Sequence, residues 1–272
     1  MLDRISVVIV TKNAADNLQH CLGSLSDFPH ILIVDSYSID DTAEIAESLN
    51  IPVISFAWNG QYPKKRQWCL DHLTDLKDYV LFIDADEIMT PALVEDMRGL
   101  SGDKAGYFIN GQYVFRGKKL RYGLRNNKLC LINRHQMEFP VVDDLDLDAM
   151  DEIEGHYQPV LKEGETNSFG ALKSPLIHDA YNTHWFERHE RYAYWQAMVE
   201  HRQALPSDVT MGRQILKSVF GIGILRPFMA FFHSYILKLG FLDGRAGYQF
   251  ALSRARYYRM VNANIKKVQN GV

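Results

Sequence analysis

Three short runs of almost wholly apolar residues, Ile5–Val10, Ile31–Val34 and Tyr79–Ile83, each stop abruptly at polar side chains. Runs of that length fit strands buried on both faces, as in a parallel sheet, better than they fit helices. The polar stops are Thr11-Lys12-Asn13, Asp35-Ser36 and Asp84-Ala85-Asp86-Glu87. Between the runs, Leu18, Cys21, Leu22 and Leu25, and then Ala43, Ile45, Ala46 and Leu49, recur at helical spacing. Pro52–Phe56 reads as a further strand, and a helix is expected from about Lys64 to Leu73. Strands alternating with helices predict an α/β fold with a doubly wound, mostly parallel sheet. Right-handed crossovers then put all the polar strand ends along one edge, where such sheets bind ligands.

The third stop is the most loaded. On an extended backbone Asp84 and Asp86, two apart, face the same way and repel unless a cation joins them. Hard divalent ions take oxygen ligands, often carboxylates together with substrate phosphates. The alternative is an acidic turn opening a helix, with Thr90 as N-cap and Pro91 at the first helical position. Spacing alone leaves both open.

Beyond the helix around 91–99 the pattern changes. Tyr107–Ile109, Gln112–Phe115 and Leu129–Ile132 are shorter and partly alternating, and predict antiparallel or mixed strands. Arg116 to Lys128 carries six cations and reads as either a solvated hairpin or a loop facing an acceptor or a phosphate. The acidic residues of 138–156 read mostly as loop solvation. From Tyr181 the chain looks helical, with Trp185, His189, Tyr192, Gln196 and Val199 on one face.

Charge divides the chain. Residues 1–181 hold 17 Lys/Arg against 28 Asp/Glu, a net of −11, whereas residues 182–272 hold 13 against 5, a net of +8. This supports a division into residues 1–181 and a basic, aromatic-rich helical region, 182–272, drawn to a polyanion. Val219–Lys238 is apolar, but Arg226-Pro227, His233 and Lys238 interrupt it too often for a spanning helix. It reads as an interfacial segment with basic flanks or as a buried helical pair. Its aromatics lie in apolar runs and not singly among cations, which argues against nucleic acid. Three scattered cysteines, Cys21, Cys69 and Cys130, make no metal motif and no disulfide framework, as suits a reducing compartment. Asp3 and Arg4 lead directly into Ile5, so no secretory signal is read there.

Taken as an ordered set, the three polar strand ends resemble the family 2 glycosyltransferases, inverting enzymes of the GT-A fold that use nucleotide-diphosphate sugars. Within that family the chain is most similar to the bacterial branch that glycosylates lipopolysaccharide core or lipid-linked glycans. Val34-Asp35-Ser36-Tyr37-Ser38-Ile39-Asp40-Asp41-Thr42 matches that branch's second-strand signature, with Tyr37 and Asp41 where glycine is common. Phe241-Leu242-Asp243-Gly244 followed by Gly247 is similar to its tail, whereas Ala14 and Ala15 depart from the acidic residue usual after Asn13.

The resemblance implies a GT-A domain with a small mixed acceptor-side sheet and a helical extension. It implies a UDP-sugar donor, a Mg or Mn ion and a lipid-linked, lipopolysaccharide or exopolysaccharide acceptor. Thr11 and Asn13 would line the nucleotide pocket, and Asp35 would accept from a uracil-type N3–H. Lys65, with Lys64 and Arg66 as rivals, would contact the diphosphate. Asp86 would hold the metal directly, Asp84 the ribose or a metal-bound water, and His178 in Ile177-His178-Asp179 would complete the site. Inversion needs a base for the acceptor hydroxyl, for which Glu154 in Ile153-Glu154-Gly155-His156-Tyr157 is the first candidate and Asp144 the second. The expected location is the cytoplasmic face of the membrane, held peripherally. Two other functions fit the composition: a degenerate nucleotide-sugar sensor without a base, and a sugar nucleotidyltransferase. The second expects a glycine-rich loop after the first strand, which Thr11–Ala15 lacks.

Overall fold

A computed structural model describes residues 1–147, 150–154, 157–179, 185–204 and 223–270. The sequence-predicted alternation appears as β1 (Ile5–Thr11), α1 (Ala15–Gly23), β2 (Ile31–Asp35), α2 (Thr42–Ser48), β3 (Val53–Ser55), α3 (Lys65–His72) and β4 (Tyr79–Asp84). These four strands pair in parallel in the order β3-β2-β1-β4. Ile5, Val7, Val8, Ile9, Ile33, Tyr79, Leu81 and Ile83 are fully buried or nearly so, because helices cover both faces. Each such side chain contributes roughly 1.5–3 kcal/mol on burial.

A short β5 (Glu87–Ile88) separates β4 from α4 (Pro91–Arg98). α4 begins as the sequence predicts: Thr90 Oγ1 accepts the Leu93 N–H at 3.2 Å, and Pro91 occupies the first turn. Then come β6 (Gly106–Phe115), β7 (Lys118–Lys119), β8 (Asn126–Asn133), β9 (Met137–Glu138), β10 (Val160–Leu161), β11 (Phe169–Ala171) and β12 (Leu176–His178). The sheet continues from β4 through antiparallel β8 and β6 to β12 and β5. Two segments read separately in sequence, 107–109 and 112–115, are one ten-residue strand, β6. Gly111 permits this continuity, since a Cβ there would stand 3.1 Å from Asn126 O on the neighbouring strand.

Three helices follow among the described residues: α5 (Trp185–His201), α6 (Arg226–Phe232) and α7 (Gly244–Gln269). α5 is part of the main core. Trp195 is 1% exposed and, with Val199, belongs to the apolar cluster holding Val8, Val80 and Phe82 of the sheet. α7 packs on α5 through Tyr257 and Val261 against Ala193 and Ala197. The apolar segment read from sequence runs through α6 and a π-helical turn, His233–Leu237, while its first residues, 219–222, lie outside the described residues. No described helix is long and apolar enough to cross a membrane.

Candidate active site

In-register pairing brings the polar strand ends together. Thr11 of β1 stands opposite Asp35 of β2, and Val10 opposite Asp84 of β4. Asp35 is buried, and both of its oxygens accept hydrogen bonds, Oδ2 from a single donor. Oδ1 accepts from Thr11 Oγ1 at 2.7 Å and Ser38 Oγ at 2.6 Å, and Oδ2 accepts from the Ser38 N–H at 2.7 Å. Asn13 stitches the two loops, its Oδ1 accepting from the Ile39 N–H at 2.9 Å and its N–H donating to Ser38 Oγ at 2.7 Å. Tyr37 sits at φ +53°, a left-handed conformation that favours glycine.

β4 ends at Asp84, and Ala85–Asp86 form a turn. Asp84 and Asp86 are therefore not alternate residues of one strand; a turn brings them together instead. Glu87 reaches back, its Oε2 accepting the Asp84 N–H at 3.1 Å. Both oxygens of Asp84 are held by cations, Oδ1 by Arg66 Nη2 at 2.6 Å and Oδ2 by Lys128 Nζ at 2.8 Å. Lys128 Nζ also donates to Glu87 Oε1 at 2.7 Å. Burial works against the charge on Asp84 and on Glu87, but Lys128 with Arg66 at Asp84, and Lys128 with His178 at Glu87, overcome it and hold both carboxyls below their usual range. Lys128 is correspondingly pushed up, the two carboxylates outweighing its burial.

His178 arrives from the far end of the chain. β12 pairs antiparallel with β5, placing His178 opposite Glu87. Its Nδ1 lies 3.2 Å from Glu87 Oε1 and 3.9 Å from Asp86 Oδ1, and the backbone N–H of Asp179 donates to Asp86 O at 2.9 Å. Burial disfavours imidazolium, yet Asp86 and Glu87 raise the His178 pKa overall. Asp86 is pushed up, first by burial and then by Asp84 and Glu87. Its Oδ1 is buried with no hydrogen-bond partner among the described residues. Such a carboxylate oxygen fits a hard cation, whereas each oxygen of Asp84 already faces a cationic side chain.

Other sequence candidates take different places. Lys65 is buried under the nucleotide-side loop, its Nζ donating to Thr11 O at 3.0 Å and lying 3.6 Å from Glu152. Burial lowers its pKa, against the pull of Glu152 and Asp35. Arg66, named as its rival, is the member of the Lys64–Arg66 trio that reaches the acidic cluster. Lys64 instead meets Asp144 at 2.9 Å in the core, where Asp144 also accepts from Tyr62 OH at 2.9 Å and Trp195 Nε1 at 2.7 Å. Glu154 is 3% exposed, and its Oε1 accepts the backbone N–H groups of Arg66 at 2.8 Å and Gln67 at 3.0 Å. Burial raises its pKa.

The geometry gives Asp144 a core anchor and Glu154 a cap on the start of α3. The expectation that residues 138–156 mostly serve as solvation fails at Asp144, Glu152 and Glu154, all buried. Gly155 and His156 of the Glu154 motif lie outside the described residues. Sequence reasoning placed Lys128 only within a basic segment. The available signal was its position directly before the apolar run Leu129–Ile132, an unusual entry for a lysine into a central strand.

Both the sequence and the fold are similar to known proteins. A family model described as glycosyl transferase family 2 matches residues 6–159. An uncharacterized glycosyltransferase of Rickettsia felis is 33% identical over 100 residues, covering 35% of this chain and 33% of that protein. One of Rickettsia bellii is 33% identical over 134 residues, 48% of this chain and 40% of that protein. The match therefore spans well under half the length of these curated relatives. Among solved structures, S. aureus TarS 1-349 in complex with UDP-GlcNAc aligns over 98% of this chain and 92% of its own, with a TM-score of 0.51 and 17% identity. PcManGT of Pyrobaculum calidifontis, a mannosyltransferase in complex with GDP-Man and Mn2+, aligns over 97% and 87%, with a TM-score of 0.54 and 15% identity. These two likenesses carry the fold. The family model, matching more than half of the residues, carries the identification: this chain belongs to glycosyl transferase family 2.

Proposed function

We propose that the protein is an inverting, metal-dependent hexosyltransferase that uses a UDP-sugar. In this reading it glycosylates a lipid-linked, lipopolysaccharide or exopolysaccharide acceptor from the cytoplasmic face of a membrane. Residues 1–181 would bind donor and acceptor, and 182–272 would form the extension toward the membrane. The observation that carries the reading is the convergence of Asp35, Asp84, Asp86, Glu87 and His178 at one sheet edge, with Arg66 and Lys128 among the carboxylates.

Each residue has a distinct part. Asp35, fixed by Thr11 and Ser38, presents an acceptor to the base ring, and Asn13 holds the shape of that loop. Asp86, with an oxygen that has no hydrogen-bond partner among the described residues, would hold a divalent ion, with His178 beside it. When bound, that ion supplies Lewis-acid neutralisation of charge on the leaving diphosphate. Arg66 and Lys128 keep Asp84 and Glu87 ionised and place two positive charges at the same edge, where charge develops on the leaving group. Glu154 acts through α3: by capping the helix start it fixes Arg66. Lys65 supports the Thr11 carbonyl from beneath.

The test is UDP release from UDP-sugars by purified protein, with and without EDTA, together with Mn2+ binding to the apo-protein followed by electron paramagnetic resonance. EDTA should abolish release, and Asp86→Ala should abolish both release and Mn2+ binding. Full turnover in Asp86→Ala would overturn the metal assignment. UDP binding without transfer or hydrolysis would favour the nucleotide-sugar sensor.

A further inference from the structure

The strongest feature outside the site is an apolar stripe that is exposed among the described residues. Leu225, Phe228, Phe232 and Ile236 recur at three- and four-residue spacing along α6 and the π-helical turn, and all four are exposed, Phe228 by 72%. Leu237 and Leu242 extend the stripe at 61% and 52% exposure. The opposite side of the same segment is packed. Pro227, Ala230 and Ser234 are buried, the Phe231 and Tyr235 rings lie 5.8 and 5.7 Å from Tyr248 of α7, and Arg226 pairs with Glu200 at 2.7 Å. The segment therefore has a fixed inner face, and its outer face is apolar by sequence.

Beside the stripe lies the basic β6–β8 connection, and the two are latched. The Asp243 carboxylate, 4% exposed, accepts the backbone N–H groups of Arg121 at 3.0 Å and Tyr122 at 2.8 Å. Lys118 Nζ donates to Asp243 O at 2.8 Å, and the Gly123 N–H donates to Lys238 O at 2.7 Å. Gly123 has φ +80°, and a Cβ there would stand 3.8 Å from Gly240 Cα, so the two backbones run in close contact. Charge is one-signed across the latch. No acidic residue occurs from 106 to 136, and Asp243 is the only one from 223 to 272. Arg121, Arg125 and Lys238 are exposed.

From this juxtaposition we infer that the 116–125 connection and the 225–242 segment form one composite docking face, held together by Asp243, whose occupant is an anionic lipid bilayer. The inference rests on the membrane-surface part of the proposed function. A bilayer answers both halves of the face at once. Its interface takes up the aromatic and aliphatic stripe, while its anionic headgroups attract the cations at its edge. An apolar protein partner would account for the stripe but not for the cations beside it. The face also connects to the site. The Leu120 N–H donates to Tyr113 O at 2.9 Å, and the Tyr113 ring stands edge-on to His178 at 5.4 Å. Docking would thus set the acceptor side of the site against the membrane.

Flotation of the full chain tests this, with phosphatidylcholine vesicles and with vesicles that also contain phosphatidylglycerol. The wild type should float with the anionic vesicles, stay behind with the neutral ones and be released by high salt. Replacing both Arg121 and Arg125 by Ser should weaken partitioning about 30-fold, at about 1 kcal/mol per cation. Phe228→Ser with Phe232→Ser should abolish partitioning. Asp243→Ala should lower it with those cations still present, in protein whose circular dichroism melt shows it folded. Wild-type protein that fails to float, or an Arg121/Arg125 variant that floats like wild type, would overturn the composite face. So would a dimer that Phe228→Ser with Phe232→Ser dissolves. UDP binding by calorimetry reports on the nucleotide site separately: its loss with flotation intact counts against the transferase reading alone.

Discussion

The Glu154 carboxylate lies 2.8 Å from the backbone nitrogen of Arg66, whose guanidinium lies 2.6 Å from Asp84. A capping residue and an acidic strand end are thus joined through one turn of α3. Glutamine keeps an oxygen for the Arg66 and Gln67 N–H groups, so Glu154→Gln should retain most of the turnover. Glu154→Ala should lower stability by about 1–3 kcal/mol, the cost of leaving buried donors unpaired. Urea denaturation and UDP release measure the two effects. A folded Glu154→Gln protein without turnover would return the base role to this carboxylate.

Lys64 and Asp144 are 1% and 0% exposed at their side chains and lie 2.9 Å apart. Removing one partner strands the other in the core. Asp144→Asn should cost roughly 3–5 kcal/mol of folding stability, and Lys64→Met should be similar alone. In a double-mutant cycle, Lys64→Met with Asp144→Asn should cost much less than the sum of the single changes. Additive losses by urea titration would show that the pair is not coupled.

Lys128 balances two carboxylates at once, at 2.8 Å from Asp84 and 2.7 Å from Glu87. Lys128→Met leaves Asp84 to Arg66 and Glu87 to His178, with no cation between the two carboxylates. We expect a stability loss of about 3–5 kcal/mol, relieved in part by adding Glu87→Gln. Chemical denaturation reads both. Lys128→Met as stable as wild type would mean that this bridge does not carry the charge balance of the strand end.

Asp96 of α4 accepts the backbone N–H of Ser174 at 2.7 Å and that of Lys173 at 3.1 Å, fixing the turn that feeds β12. The Ser174 N–H, above all, lowers the Asp96 pKa below its usual value. A carboxyl depressed on folding adds stability that is complete above its unfolded pKa, about 3.9. That stability is lost as pH falls through the folded value. Wild-type protein should therefore lose stability through this acid range, and Asp96→Asn should show a shallower decline there. Melting curves from pH 5 downward compare the slopes, and equal slopes would show that Asp96 adds nothing to the acid limb.

Much of the parallel half was legible because period and polarity agree there. β1, β2 and β4 are unbroken apolar runs, and their register alone aligns Thr11, Asp35 and Asp84. Long-range pairing was not legible. Nothing local to Ile177-His178-Asp179 says that β12 will meet β5 and set His178 against Glu87. The acidic stretch misled for a related reason. Asp144, Glu152 and Glu154 look like solvated loop residues until the lysines, the tryptophan and the helix N–H groups that bury them are in place. Lys65 and Arg66 show the same limit at shorter range, since adjacent residues on α3 point to opposite partners, Thr11 and Asp84.

The strand that carries His178 lies beyond residue 159, where the family match ends, yet it closes the sheet beside β5. Synthesis runs from the N-terminus, so Asp84, Asp86 and Glu87 leave the ribosome some ninety residues before their histidine. Until β12 docks, Asp86 and Glu87 have an unpaired neighbour strand and no imidazole. A polypeptide released early, or cut between β11 and β12, would keep the parallel half of the sheet but lack a finished site. The site therefore cannot be complete until β12 has emerged and docked, some ninety residues after the carboxylates it meets.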